Sequence, residues 1–148
     1  MDTEGLLKSL NAHAVEYVII GASAFPVHGY SRTTLDIDLF IRPEPDNAAR
    51  VIDALREFGY DVTDLTVEDL LAYKVLIRQY VVESDIHPFV AGVDFDQVWQ
   101  NRVLDLFGDT PAAFASLDDL ILMKQAANRP QDQADLKFLL AIRARRPK

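Results

Sequence analysis

Two carboxylates, Asp36 and Asp38, lie two residues apart in a segment of alternating polarity. In a β-strand, residues at this spacing project from one face, while Ile37 and Leu39 turn to the opposite face. Like charges placed side by side repel each other unless water or a hard cation separates them, and Mg²⁺ prefers oxygen ligands. The pair therefore indicates either a solvated strand face or a metal site.

A second feature lies upstream, where Gly21, Ala22 and Ser23 follow a hydrophobic run. A turn that opens a helix presents unpaired backbone N–H groups, and a nearby hydroxyl adds a further donor for phosphate oxygens. Glycine allows close approach of the backbone, although it is also the ordinary residue of a simple turn. Taken with the aspartate pair, the turn predicts one site with phosphate on one side and metal ions on the other.

These residues resemble the signature of the minimal nucleotidyltransferases of the DNA polymerase β superfamily. That signature is a hydrophobic residue, Gly-Gly or Gly-Ser, and then a strand bearing Asp-x-Asp; residues 21–23 and 29–39 resemble it at the family's spacing. The chain has Ala22 where the family often has a second glycine. The resemblance implies that Gly21 and Ser23 contact phosphate, and that Asp36 and Asp38 hold two Mg²⁺ ions with a third carboxylate.

The resemblance assigns that third carboxylate to Asp85, on a later strand. Glu83 and His87 share its face by alternation, so periodicity alone leaves the choice between Glu83 and Asp85 open. In the family pattern Asp85 is a metal ligand and can also take the proton of an attacking hydroxyl. We interpret Glu83 as an exposed strand residue, and His87 as either an exposed histidine on an edge strand or a core histidine satisfied by hydrogen bonds.

A charged segment near the C-terminus resembles the Lys, Arg, Asp and Asp pattern of abortive-infection-type toxin transferases and their relatives. The resemblance implies that Lys124 reaches nucleotide phosphates, while Asp132 or Asp135 orients Lys124 or Arg129. The alternative is ordinary ion pairing along a helix surface. Arg32, in the loop before the aspartate strand, could also steady phosphate.

The order of the predicted helices and strands that must position these residues indicates a mixed α/β (α+β) fold. In this fold a small mixed sheet is flanked by helices and followed by a C-terminal helical pair. This is also the fold that the resemblance implies. Helices are predicted over residues 3–12, 22–29, 46–58 and 67–73, a single turn of helix over 94–100, then a helix from Ser116 to about Asn128 and a last one after Pro130. Alternation predicts a strand over 35–41, and an apolar run predicts a buried one over 15–20. β-Branched and aromatic residues predict strands over 74–80 and 81–89, and short apolar segments predict a hairpin over 102–107 and 112–115. In the 35–41 strand, Leu35 is assigned to the core face.

The composition predicts one globular domain spanning residues 1–148, since 49% of the residues are hydrophobic and 26% charged. The formal charge of -8 excludes general DNA binding, because such a surface repels a phosphate backbone. Cysteine is absent, the N-terminus lacks the pattern of a signal peptide, and no apolar stretch approaches the length of a membrane span. We therefore expect a cytoplasmic protein that does not bind membranes.

The resemblance predicts an enzyme that moves a nucleoside monophosphate from a nucleoside triphosphate such as ATP to a hydroxyl acceptor. A tRNA end, a protein or a small molecule could be that acceptor. Several relatives belong to toxin–antitoxin systems, so a cognate toxin or antitoxin is an expected partner. The main alternative is a catalytically silent module of the same fold that binds a partner protein, which Ala22 favours; a phosphatase or nuclease using the same carboxylates is a third.

Overall fold

The chain folds around an open mixed sheet. The computed structural model describes residues 3–79 and 82–147. Within these residues the sheet has six strands in the order β3-β4-β2-β1-β6-β5. The strands are β1 (Tyr17–Ile20), β2 (Asp36–Ile41), β3 (Val75–Arg78), β4 (Glu83–His87), β5 (Val103–Phe107) and β6 (Thr110–Phe114). Parallel pairs β1/β6 and β2/β4 alternate with antiparallel pairs, so the predicted mixed sheet is confirmed.

Six α-helices and one 3-10 helix accompany the sheet within the described residues. They are α1 (Thr3–Ala12), the 3-10 helix (Gly21–His28), α2 (Pro45–Phe58), α3 (Val67–Ala72), α4 (Phe95–Asn101), α5 (Leu117–Ala127) and α6 (Pro130–Arg145). The helices follow the predicted order, and α4 is a complete helix instead of a single turn. Tyr80 and Val81, which adjoin in the two strands predicted over 74–89, lie outside the described residues. No helix in the described part of the chain combines the length and apolar character needed to cross a membrane.

Strand β2 lies inside the sheet, between β1 and β4, and its burial follows the predicted alternation from Asp36 to Leu39, whereas Phe40, on the face of the aspartates, is also buried. Ile37 and Leu39 are buried, whereas Asp36 and Asp38 are partly exposed. The assignment of Leu35 to the core face is wrong, because its side chain is 86% exposed. The strand pairing begins one residue later, at Asp36. The alternation in the sequence therefore begins one position before the first residue that has a strand partner.

The C-terminal helical pair is produced by two adjacent stop and start signals. Ser116 caps α5 by accepting a hydrogen bond from the backbone N–H of Asp119, and Asn128 ends the helix in the left-handed conformation with φ 51°. Pro130 is then the first residue of α6, a position where its missing N–H costs nothing. The proline that interrupts one helix therefore begins the next.

Aromatic stacking fastens α6 to the 3-10 helix. The ring of Tyr30 stacks on Phe25 with centroids 5.2 Å apart and on Phe138 with centroids 4.9 Å apart. Leu139, the next residue of α6, is completely buried. The helical pair thus has a fixed position beside the turn that begins at Gly21.

The packing predicts a large difference between two leucines in strands. Leu39 is completely buried in β2, whereas Leu104 in β5 is 73% exposed. We expect Leu39→Ala to lower the free energy of unfolding by about 3 kcal/mol or more through lost burial and a residual cavity. Leu104→Ala is the matched control, with an expected change below about 1 kcal/mol. Urea denaturation followed by circular dichroism measures both, and equal losses would contradict the assignment of β2 to the core.

Candidate active site

The register of β2 and β4 brings acidic side chains onto one face of the sheet. Asp38 is the direct partner of Asp85 across the two parallel strands, and Asp36 is the partner of Glu83. Because directly opposed residues of neighbouring strands point to the same side, all four carboxylates share a face. The sequence left Glu83 and Asp85 as alternatives, and the structure brings both to this face.

Gly21 lies directly against Asp38. It follows Ile20, whose Cα is paired with that of Asp38 across β1 and β2. A Cβ built on Gly21 would lie 2.7 Å from Oδ2 of Asp38, and the residue has φ +68°, which side-chain-bearing residues rarely adopt. Both the backbone conformation and the close approach therefore favour glycine here.

Arg78, the last residue of β3, is the cation nearest to the acidic face. Its Nη1 donates a hydrogen bond of 2.7 Å to Oδ1 of Asp85, and its Nη2 lies 3.5 Å from Oδ2 of Asp36. Its Nε lies 3.7 Å from Oε2 of Glu83. The hydrogen bond to Asp85 raises the pKa of the Arg78 guanidinium, so this group stays charged among the carboxylates.

A histidine occupies the other end of the acidic face. Nε2 of His87 lies 2.9 Å from Oδ1 of Asp38, and the two residues are separated by 49 positions in the chain. His87 belongs to β4, which lies between β3 and β2, so the prediction of an edge-strand histidine does not describe it. It is a hydrogen-bonded histidine on the acidic face, which is the second interpretation given by the sequence.

Glu83 and Asp36 show how crowded this face is. A hydrogen bond with Asp36 raises the pKa of Glu83, and burial and the negative charge of Asp36 act in the same direction. Arg78 opposes this effect by favouring the ionised carboxylate. The acidic face therefore favours positive charge nearby over further negative charge.

Opposite the acidic face lies a basic wall, which we define by Lys124 on α5 and Arg129 just before α6, together with the aspartates that they contact. Nζ of Lys124 lies 2.9 Å from Oδ1 of Asp132 and 3.2 Å from Oδ2 of Asp135. Nε of Arg129 donates a hydrogen bond of 2.7 Å to Oδ2 of Asp132. Asp132 therefore contacts both predicted phosphate-binding residues, and Asp135 contacts Lys124.

Both aspartates of this wall are ionised although they are buried. Burial acts to raise the pKa of Asp132, but hydrogen bonds from Arg129 and Lys124 outweigh it and lower that pKa far below its ordinary value. Burial also opposes ionisation of Asp135, whose pKa is lowered by hydrogen bonds from Arg32 and Lys124. Lys124 and the two aspartates therefore form a buried charge network, whereas the side chain of Arg129 lies at the surface and is 62% exposed.

Arg32 joins this network from the loop before β2. Its Nε and Nη2 donate to the two oxygens of Asp135 at 2.9 and 3.0 Å, a fork that fits a carboxylate. The hydroxyl of Tyr30 donates to the same carboxylate at 3.0 Å. The loop that leads into the aspartate strand is thereby tied to α6.

The acidic face and the basic wall enclose a cavity of about 330 Å³. Eight residues that the sequence singled out line it: Gly21, Arg32, Asp36, Asp38, Asp85, Lys124, Arg129 and Asp132. Ser23 lies elsewhere, in a smaller neighbouring cavity of about 130 Å³ that it shares with Asp36 and Glu83. The site is thus one cleft with opposite charges on its two sides.

The donor set fits a hard divalent ion in its chemistry. Asp36, Asp38 and Asp85 offer only carboxylate oxygens, the type of ligand that Mg²⁺ selects. In the described residues, however, no group of three or more carboxylate or imidazole side chains converges closely enough to hold a metal ion. Arg78 lies between Asp36 and Asp85 instead, so metal binding requires these side chains to rearrange.

Sequence reasoning did not single out Arg78 or Lys74 as site residues. Lys74 precedes β3 and lines the cavity, whereas Arg78 contacts the carboxylates from beside it. The segment that predicted β3 contained both residues, but nothing local indicated which strand it would pair with. Arg78 could have been found by pairing the two adjacent predicted strands as a hairpin. In that pairing Arg78 is opposite Glu83, so both side chains lie on one face.

Fold and site together define a small α/β protein with a carboxylate face beside a glycine turn and an opposing basic wall. Residues 3–142 match the protein family described as "Nucleotidyltransferase of unknown function (DUF6036)", and the chain belongs to this family. No curated protein matches the chain. The nucleotidyltransferase resemblance is confirmed by the family, while the link to toxin–antitoxin systems stays a prediction.

The buried charge network predicts that Asp132 supports the helical pair. Asp132→Asn leaves Lys124 and Arg129 without their shared counter-charge, and we expect the free energy of unfolding to fall by about 3 kcal/mol. The control is Asp118→Asn, since Asp118 is 74% exposed and lies 3.4 Å from Arg143; its expected effect is below about 0.5 kcal/mol. Chemical denaturation at neutral pH measures both.

The wild type and Asp132→Asn should differ in how much stability they lose at acidic pH. Because folding lowers the pKa of Asp132 below its ordinary 3.8, its contribution is present above that pH and is lost as the pH falls further. Asp132→Asn lacks this carboxylate, so it should lose less stability than the wild type on acidification. Parallel losses in the two proteins would contradict the ionised, buried Asp132.

Proposed function

We propose that the chain is a metal-dependent nucleotidyltransferase that moves a nucleoside monophosphate from a nucleoside triphosphate to a hydroxyl acceptor. The observation that carries this proposal is the register of β2 and β4, which opposes Asp38 to Asp85 on the face that also bears Asp36. The family of the chain supports the general activity. The metal, the substrate and the residue roles are parts of the proposal.

Asp36, Asp38 and Asp85 would hold two Mg²⁺ ions. When bound, Mg²⁺ supplies charge neutralisation and alignment for the phosphates. Gly21 keeps the backbone close to Asp38, so the turn and the carboxylate can contact the same phosphate group. His87 holds one oxygen of Asp38 and leaves the other for a ligand.

The basic wall would bind the triphosphate from the opposite side. Lys124, Arg129 and Arg32 bring three positive charges to Asp132 and Asp135, which supply two negative charges. One positive charge is therefore left over on this side of the cavity, where it favours an anion. The two aspartates hold the cations in place, so little ordering is needed when a phosphate binds.

The reaction is a displacement at the α-phosphorus. The acceptor oxygen forms a bond to this phosphorus as the bond to the bridging oxygen breaks, and pyrophosphate leaves with that electron pair. The acceptor proton passes to Asp85. Charge complementarity in a cleft of this kind positions the reactants and requires little covalent chemistry from the protein.

The most detailed parts of the proposal concern the acceptor and the biological role. The net charge of -8 disfavours an acceptor bound over a wide phosphate surface, so an RNA would present only its end to the cleft. Incubation with labelled triphosphates and separated RNA, protein and small-molecule fractions identifies the class that becomes labelled. The resemblance to abortive-infection-type transferases supports a role in a toxin–antitoxin pair, which co-purification with the product of the adjacent reading frame tests.

The decisive variants are Asp36→Asn and Asp38→Asn. Each keeps the shape of the side chain and removes one charged oxygen ligand, so we expect transfer to fall by at least about 100-fold and Mn²⁺ binding to weaken. Asp53→Asn is the matched control, since Asp53 is an exposed carboxylate paired with Arg56 on α2. Label transfer and isothermal titration with Mn²⁺ measure the effects, and circular dichroism monitors folding.

Full transfer activity in both folded variants would contradict the proposed mechanism. A folded wild-type protein that binds neither Mn²⁺ nor a triphosphate would favour the alternative, a silent module that binds a partner protein.

Gly21 provides a second test that removes no charge. Gly21→Ala would push Asp38 aside, whereas Gly29→Ala is a control that also alters a positive-φ glycine, with φ +94° and no atom within 4 Å of the added Cβ. We expect both variants to lose about 1 kcal/mol of stability from backbone strain. Only Gly21→Ala should weaken Mn²⁺ binding and transfer. Equal effects of the two substitutions on binding would show that the close approach to Asp38 does not matter.

A further inference from the structure

Arg78 lies among carboxylates that the proposed function assigns to metal ions. We propose that Arg78 is a tethered counter-ion that neutralises Asp36, Glu83 and Asp85 in the metal-free protein and competes with divalent ions for Asp36 and Asp85. This inference rests on the proposed function, because it presumes that these carboxylates bind metal.

The register of three strands creates this arrangement. Arg78 on β3 is the direct partner of Glu83 on β4, which is the direct partner of Asp36 on β2. A row of one cation and two anions therefore crosses the sheet. Asp85 lies two residues after Glu83 on the same face of β4, and Nη1 of Arg78 lies 2.7 Å from its Oδ1. The guanidinium therefore contacts carboxylates of both β2 and β4.

The three carboxylates around Arg78 carry more negative charge than one guanidinium neutralises, so a further cation would also be favoured there. Three carboxylates with a single guanidinium leave two negative charges uncompensated on a face that Asp38 makes still more negative. Without Arg78, Asp36 and Glu83 would repel each other directly across the strands. With Arg78 in place, a divalent ion must displace its hydrogen bond to Asp85 before it can take the same oxygen.

The surroundings of Arg78 allow that exchange. Its side chain is 41% exposed, whereas the side chain of Asp85 is only 10% exposed. Its other bonds go to backbone oxygens, those of Ile77 at 3.1 Å and Ser84 at 3.4 Å. A long side chain at the end of an edge strand can swing into solvent without opening the core. Arg78 thus differs from Lys124, which is buried between two aspartates.

The direction of a change in metal affinity separates competition from a purely structural role. If Arg78 positioned the carboxylates for metal, its removal would weaken metal binding. If Arg78 competes, its removal frees the carboxylates and metal binding becomes tighter, at the cost of a less stable metal-free protein.

The experiment titrates Mn²⁺ into the full-length wild type, Arg78→Gln and Arg56→Gln, with isothermal calorimetry and electron paramagnetic resonance of free Mn²⁺ as readouts. Arg56 is the matched control, because it is an exposed arginine whose Nη1 lies 3.0 Å from Oδ1 of Asp53 on α2. We expect Arg78→Gln to bind Mn²⁺ about three- to tenfold more tightly, a range set by the modest strength of solvent-exposed ion pairs. Arg56→Gln should bind as the wild type does.

Thermal unfolding gives a second readout that does not depend on activity. In EDTA, Arg78→Gln should unfold at a lower temperature than the wild type, and Mn²⁺ should raise its Tm by a larger amount. Arg78→Lys keeps the charge but cannot bridge two carboxylates as a guanidinium does, so its Mn²⁺ affinity should fall between the other two.

Unchanged or weaker Mn²⁺ binding in a folded Arg78→Gln protein would overturn the competition. If wild-type binding is still lost in Asp38→Asn, the proposed function stands despite that result. Absence of Mn²⁺ binding in every protein, with folding intact, would overturn both the counter-ion role and the metal-dependent function.

Discussion

The mutual repulsion of carboxylates on β2 and β4 is the constraint on which this structure depends. Asp38 and Asp85 are direct partners, as are Asp36 and Glu83, so the sheet holds four acidic side chains on a single face. Such a face needs water, hydrogen-bond donors or cations beside it. Arg78 from the edge strand and His87 from the same strand as Asp85 supply contacts at its two ends. The cleft, the glycine turn and the basic wall are all arranged around this charged face.

A second group of charges has the opposite function of fastening parts of the chain together. Lys124 on α5 and Arg32 in the loop before β2 meet at Asp135 of α6, and Asp132 joins Lys124 to Arg129. These two aspartates are almost completely buried, so each depends on its partners to remain ionised. Arg78, by contrast, is partly exposed, and its ion pairs can exchange with solvent and dissolved ions. Burial thus separates Lys124 and its two aspartates, which are fixed in place, from Arg78, whose ion pairs can exchange.

Most of the fold could be predicted from local patterns. Alternation located β2, apolar and β-branched segments located the other strands, and capping residues such as Ser116 located helix ends, because these signals act within one strand or one turn of helix. Pro130 shows that even the boundary between α5 and α6 was encoded locally. Leu35 shows the limit of such reasoning: alternation continues through it, yet it has no strand partner and stays exposed. Whether a strand position is paired depends on its neighbours in the sheet, which periodicity does not report.

The sequence by itself determined that Asp36 and Asp38 share a face, that a glycine turn precedes them and that a charged segment follows near the C-terminus. These are consequences of spacing within single elements. Only the tertiary structure decided that Asp85 and Glu83 both join the aspartate pair, that Arg78 lies among them and that Ser23 lines a different cavity. The physical reason is strand register: it brings together residues such as Asp38 and His87, 49 positions apart, through backbone pairing that no local pattern specifies.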